Sequence, residues 1–101
     1  MILVIAHAQA RPDRREGLIA LLAATAQRSR KEPGNLAYRF TSDIEEPNDL
    51  LSIEQWESRE ALDAHMATPE LGELLGALGD MVTAAPVITV HEVSGTAPYG
   101  G

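Results

Sequence analysis

Ile53-Glu54-Gln55-Trp56-Glu57-Ser58-Arg59-Glu60-Ala61-Leu62-Asp63-Ala64-His65-Met66-Ala67-Thr68-Pro69 carries the chain out of a strand, through one helix and into the start of another. Its strand part holds the single Trp, Trp56. Ser58 is the helix start, because its hydroxyl can accept from an otherwise unpaired first-turn N–H. His65 then falls two turns into the helix, on the stripe shared with Ala61 and Leu62. An indole on a strand end and an imidazole on the facing side of the next helix line one cleft between sheet and helix. Such a cleft suits a flat organic ligand.

On the N-terminal side, Leu50 to Glu57 reads as a strand with Leu50, Leu51 and Ile53 apolar. Ile44 to Asp49, with Glu45, Glu46, Pro47 and Asn48, has turn chemistry of hairpin length. Before it, Asn35 to Asp43 alternates Leu36, Tyr38 and Phe40 against Ala37, Arg39 and Thr41, the period of a half-buried strand that pairs antiparallel with the next. Glu32-Pro33-Gly34 ends a helix that Arg11-Pro12-Asp13 begins. Leu18, Ile19, Leu22 and Ala26 are its apolar stripe, and Arg14, Arg15, Gln27 and Arg30 its solvated side. Ile2 to Ala10 is a first strand that looks buried on both faces.

On the C-terminal side, Thr68 caps a new helix with Pro69 at its first position and Glu70 near its positive end. Leu71, Leu74, Leu75, Leu78 and Val82 keep a helical stripe interrupted by Gly72, Gly76 and Gly79, which predicts a loosely held helix over the cleft that acts as a lid. Gly72 and Gly76 also form a GxxxG, whose ordinary meaning in a soluble protein is close helix packing. Pro86 to Val93 is a last strand, and Gly95 to Gly101 is a tail without periodicity, expected to be flexible.

The order βαββαβ, with a split second helix, predicts an α+β, ferredoxin-like fold: a four-stranded antiparallel sheet with helices on one face. Residues 1–94 form the domain and 95–101 the tail. Helices cover only one sheet face, yet the first and third strands are apolar on both, so the uncovered face is expected to dock on a second copy of the chain.

Composition narrows the partners. With 101 residues the chain is one domain, and its net charge is −7, from 15 acidic and 8 basic residues without a basic run. Nucleic acid and anionic membrane surfaces are poor partners for such a chain. It has no Cys, which excludes disulfides, thiolate metal sites and a Cys nucleophile. No apolar run approaches a membrane span, and the N-terminal apolar run lacks a basic leader, so the expected location is the cytoplasm. The three His lie on two strands and a helix with no carboxylate at ligand spacing, so no metal site is expected.

Glu32-Pro33-Gly34, Ile53-Glu54-Gln55-Trp56-Glu57-Ser58 and Ala64-His65-Met66-Ala67-Thr68-Pro69 together resemble the antibiotic-biosynthesis monooxygenase family of dimeric α+β barrels, in its small quinol-monooxygenase branch. The resemblance spans about residues 1–94. It implies a homodimer whose sheets face each other, with a pocket between sheet and helices in each subunit. It also implies oxidation of a quinol or similar phenolic or polycyclic aromatic with O2, without metal, flavin or other cofactor. An electron-rich phenol, once deprotonated, reduces oxygen itself, so the protein need only bind it in a dry pocket, take its proton and stabilise the anion. Anthrone-oxidising members carry an Asn four positions before the Trp and a Tyr six after it; this chain has Ser52 and Leu62 there. Haem-degrading relatives need an axial His in the region where this chain has Leu71 to Gly79.

The candidate catalytic residues are His65 and His7, as base or hydrogen-bond partner near neutral pH. Trp56, Tyr38, Arg39, Ser52 and Leu62 are the candidate substrate-binding residues, with at most one of Tyr38 and Arg39 reaching the pocket because neighbours on a strand point to opposite faces. Each has a plainer reading: Trp56 as a core filler, His65 as a packed histidine. Glu54 and Glu57 read as solvent, edge or dimer-contact residues. Two other functions share this barrel: a dimer that binds a small apolar ligand without turnover, and an isomerase or small-molecule degradation enzyme.

Overall fold

A computed structural model describes residues 1–100. It contains β1 (Ile2–Gln9), a 3-10 turn (Pro12–Arg14), α1 (Arg15–Ser29), β2 (Asn35–Ser42), β3 (Asp49–Trp56), α2 (Arg59–Met66), α3 (Pro69–Leu78) and β4 (Val87–Glu92). The strands form one antiparallel sheet in the order β2-β3-β1-β4. This is the expected ferredoxin-like α+β arrangement, with the helices on one face. Residues 95–100 lie outside any strand or helix, and Gly101 of the expected tail is outside the described residues. Among the described residues, no helix is long and apolar enough to cross a membrane.

Local chemistry sets the boundaries as read. The Ser58 hydroxyl accepts from Ala61 N at the start of α2, and Thr68 Oγ1 accepts from Leu71 N at the start of α3, with Pro69 at the first helical position. In the β2–β3 connection, Asp43 Oδ1 accepts from Glu45 N at 2.7 Å and Glu46 N at 3.1 Å, so a short side chain closes the turn. The α1–β2 turn needs its glycine twice over. Gly34 has φ 81°, and a Cβ there would lie 2.6 Å from Ala61 Cβ on α2. Gly34 therefore lets the Glu32 turn press directly against α2.

Several expectations are corrected by packing. Leu36 is 52% exposed, because the β2–β3 register shifts between Asn35 and Ala37. That bulge absorbs one residue and aims Tyr38 and Phe40 inward, directly opposite Glu54 and Ser52. On α1 the buried stripe is Leu18, Leu22, Thr25, Ala26 and Ser29; Ile19 sits at its exposed edge. Outward-facing Leu3 and Ile5 of β1 are half-buried in the single chain, while Ile2 and Val4 are buried under the helices. On α3, a Cβ added at Gly72 or Gly76 would meet nothing within 4 Å, so this GxxxG makes no close packing.

The core has two apolar clusters. Leu18, Leu22, Leu50, Leu71, Leu74 and Leu78 form one, and Ile2, Val4, Ala26, Tyr38, Trp56 and Leu62 the other; Phe40 packs against both.

Candidate active site

The inward face of β3 reads Leu50, Ser52, Glu54, Trp56, all buried. Strand alternation thus carries a hydroxyl, a carboxylate and an indole into the layer between sheet and helices. A buried carboxylate is tolerated only where donors satisfy it. Glu54 has them: Ser52 Oγ donates to Oε2 at 2.8 Å and Trp56 Nε1 donates to Oε1 at 3.1 Å. The expectation of a solvent, edge or dimer-contact role for Glu54 is therefore wrong. Its inward position was readable from the two-residue period, since a residue two positions from a buried Trp shares the Trp's face.

His65 enters from α2 and is 2% exposed. Its Nδ1 lies 3.0 and 3.2 Å from the two carboxylate oxygens of Glu32, at the end of the α1–β2 turn. Its Nε2 lies 3.9 Å from Glu54 Oε1. With the Glu32 carboxylate as acceptor, Nδ1 bears the hydrogen, and Nε2 faces Glu54. The imidazole ring rests on Trp56, with centroids 4.6 Å apart, and meets Tyr38 edge-on at 5.4 Å.

Tyr38, across the strand pair from Glu54, completes the polar group. Burial holds its hydroxyl well above the ordinary value of 10.0, and the nearby Glu54 and Glu32 carboxylates push the same way; the Ser29 hydroxyl and Arg28 oppose this. The phenol is therefore a hydrogen-bond donor at neutral pH and not a base.

These groups border a mostly apolar cavity between the sheet, α1 and α3. Its wall includes Tyr38, Phe40, Ser52, Glu54 and His65, with Leu71, Leu74, Leu75 and Leu78 of α3 closing one side. The interior volume is about 80 Å³, well below the roughly 300–1,000 Å³ of ordinary small-molecule sites. Among the described residues, no group of three His, Cys, Asp or Glu could hold a metal ion.

The structure brings four of the residues picked from sequence, His7, Tyr38, Ser52 and His65, to the border of this cavity. Trp56 and Leu62 lie behind it: Trp56 is fully buried under His65, and both belong to the cluster beyond the cavity wall. The expectation that the indole and imidazole line one cleft is thus corrected; the imidazole lines it and the indole backs it. Arg39 is exposed, and alternation turns it to the other sheet face, away from the cavity. His7 borders the cavity, but it pairs with Leu51 and Val87 on the outer face and its Nε2 sits 3.7 Å from Asp49. Sequence reading missed Glu54 and Glu32 as members of the site.

A ferredoxin-like sheet whose helices enclose an apolar cavity with a few convergent polar groups defines a class of small-ligand proteins. Residues 1–75 match the antibiotic biosynthesis monooxygenase family, and the chain belongs to it. The chain is 35% identical over 89 residues, 88% of its length and 87% of the relative's, to a Mycobacterium tuberculosis protein named "Putative monooxygenase Rv0793". A solved structure of Rv0793 superposes with a TM-score of 0.89 at 31% identity, covering 96% of this chain and 98% of that one. The chain is also similar to a Deinococcus radiodurans structure described as a "putative antibiotic biosynthesis monooxygenase", with a TM-score of 0.94, 28% identity and full coverage of both chains. An uncharacterised Synechocystis protein, sll1783, is 34% identical over 95 residues; the match takes in 94% of this chain and 65% of that protein.

Proposed function

We propose that the protein is a cofactor-independent monooxygenase acting on a quinol or a similar electron-rich phenol. The observation that carries this reading is the buried pair of Glu54 and His65 at the wall of an otherwise apolar cavity. A phenol bound there gives its proton to the Glu54 carboxylate or to His65 Nε2. The neutral Tyr38 hydroxyl donates a hydrogen bond to the phenolate oxygen, which favours the anion in a mostly apolar site. The electron-rich anion then reduces O2 directly. For a substrate CH2 converted to C=O, one oxygen atom enters the product and the other leaves as water, with the two hydrogens of the CH2.

Two further features support this reading. The present interior is too small for a bicyclic phenol, so α3, whose Leu71, Leu74, Leu75 and Leu78 form one wall, must move to admit it; this gives the lid expected from sequence a steric purpose. On the uncovered sheet face, Leu3, Ile5, Leu51 and Ile53 are only half-buried, and Val87 is 62% exposed. A continuous apolar surface on the two central strands suits an isologous homodimer, and we take the dimer to be the working form.

The test is oxygen consumption with a panel of reduced naphthoquinones and anthrones, in chelator-treated buffer. Consumption above the no-protein rate for at least one compound is expected. If none is consumed faster, while a non-oxidisable quinone still raises the melting temperature, the protein is a binding module and the enzymatic reading fails.

A further inference from the structure

One row of residues crosses the sheet beneath the cavity. Antiparallel pairing sets Phe40 opposite Ser52, Ser52 opposite Ala6 and Ala6 opposite Ile88, and all four border the cavity. Ser52 and Ala6 are small, so the floor dips where it crosses β3 and β1. Ala6 lies on the inner face of a central strand and is still only half-buried, so the helices leave this part of the floor open. Polarity changes along the row. At the closed end Tyr38, Ser52, Glu54 and His65 are all buried. At the open end the lining is apolar, with Met66 41% exposed, Leu75 39% and Ile88 43%. His7 also borders the cavity, but its imidazole lies on the other sheet face beside Asp49. Proteins ordinarily bury apolar groups and give polar ones to water. This site does the reverse, and exposed apolar residues at the mouth of a concave site mark a surface that something apolar covers.

We infer that the substrate is a phenol bearing an apolar alkyl or alkenyl substituent, with Ala6 as the residue that admits it; this rests on the monooxygenase reading of the same site. The hydroxyl end of the ring lies at Glu54 and His65. The substituent runs over Ser52 and Ala6 and leaves between Ile88 of β4 and Leu75 of α3. Two strand spacings, roughly 10 Å, separate Ser52 from Ile88, which sets the length needed to reach the mouth. Such a ligand matches the site at both ends. Its polar head satisfies the buried groups, and its apolar end shields Met66, Leu75 and Ile88 from water. A larger side chain at position 6 would stand across the row and block the path while leaving the polar end in place.

The test is calorimetric binding of para-methyl-, para-pentyl- and para-octylphenol to the full chain, with no turnover required. A methylene buried on all sides gains about fourfold in affinity, so one lying in an open trough gains about twofold. The ratio of octyl to methyl affinity is the readout, because a general loss of the site does not mimic a change in it. For wild type a ratio of about thirtyfold or more is expected, falling below about threefold in Ala6→Leu. Ile88→Thr, at the exposed rim and still suited to a strand, should lower the ratio by several-fold and keeps the test open if Ala6→Leu fails to fold. A ratio near one in wild type overturns the inference, as when a second copy of the chain covers the mouth. So does a ratio that both variants leave unchanged, which would place the substituent elsewhere, and so does a failure of all three phenols to bind. A wild type that consumes no oxygen with any quinol, yet shows the chain-length gain and its loss in Ala6→Leu, removes the monooxygenase reading and leaves the ligand class standing. Oxygen consumption with unsubstituted quinols alongside a ratio near one does the opposite.

Discussion

Trp56 Nε1 donates to Glu54 Oε1 at 3.1 Å from two residues further along the same face of β3, so the single indole anchors the buried carboxylate of the site. An indole is only a donor, and this bond fixes which carboxylate oxygen turns toward His65. Trp56→Phe keeps an aromatic filler but strips the donor and leaves a void. A stability loss of roughly 2 to 4 kcal/mol is expected in urea unfolding, from a hydrogen bond to a charged group plus a cavity. A loss below about 1 kcal/mol, with the bond gone, would show that the indole is packing alone.

Tyr38 predicts an alkaline limb in stability. Burial first, and then Glu54, raises its hydroxyl above the ordinary 10.0. The folded state therefore keeps a proton that the unfolded chain releases near pH 10. Below that pH the contribution of Tyr38 is fully present; as pH rises toward the folded-state value it is lost, because the unfolded state alone gains by ionising. Unfolding free energies measured from pH 8 to 11 should fall more steeply for wild type than for Tyr38→Phe. Parallel curves would contradict the shift.

Gly72 and Gly76 lie on the outer side of α3, where an added Cβ meets nothing within 4 Å. Alanine at each should stabilise the helix by roughly 0.5 to 1 kcal/mol through reduced freedom of the unfolded chain. If α3 is the moving cover, the double variant gains melting temperature and loses turnover, and its α3 amides exchange more slowly. A gain in stability with unchanged turnover and exchange would separate α3 from gating.

Periodicity made the fold legible. Alternation in β2, the hydroxyl caps at Ser58 and Thr68, and Pro69 fixed element type and order, and a βαββαβ order leaves few topologies. The site was legible only in part. His65 and Tyr38 fall on apolar stripes and were found. Charge alone assigns Glu54 to the surface, whereas its position puts it on the inner face, where Ser52 and Trp56 flank it and satisfy it. Glu32 reaches His65 across 33 positions of sequence, a contact set by the Gly34 turn against α2 that no local pattern encodes. Arg39 and His7 have the chemistry of site residues, but the strand period turns both to the outer face.

In the proposed reaction Glu54 is the proton acceptor, and steady-state oxygen consumption by wild type and Glu54→Gln, with the best substrate of the quinol panel, tests that role most directly. The amide keeps the shape and can still accept from Trp56 but cannot take a proton. We expect kcat to fall by about 100-fold or more, with KM changed far less and the variant still folded. A Glu54→Gln protein that turns over within about twofold of wild type would contradict the account.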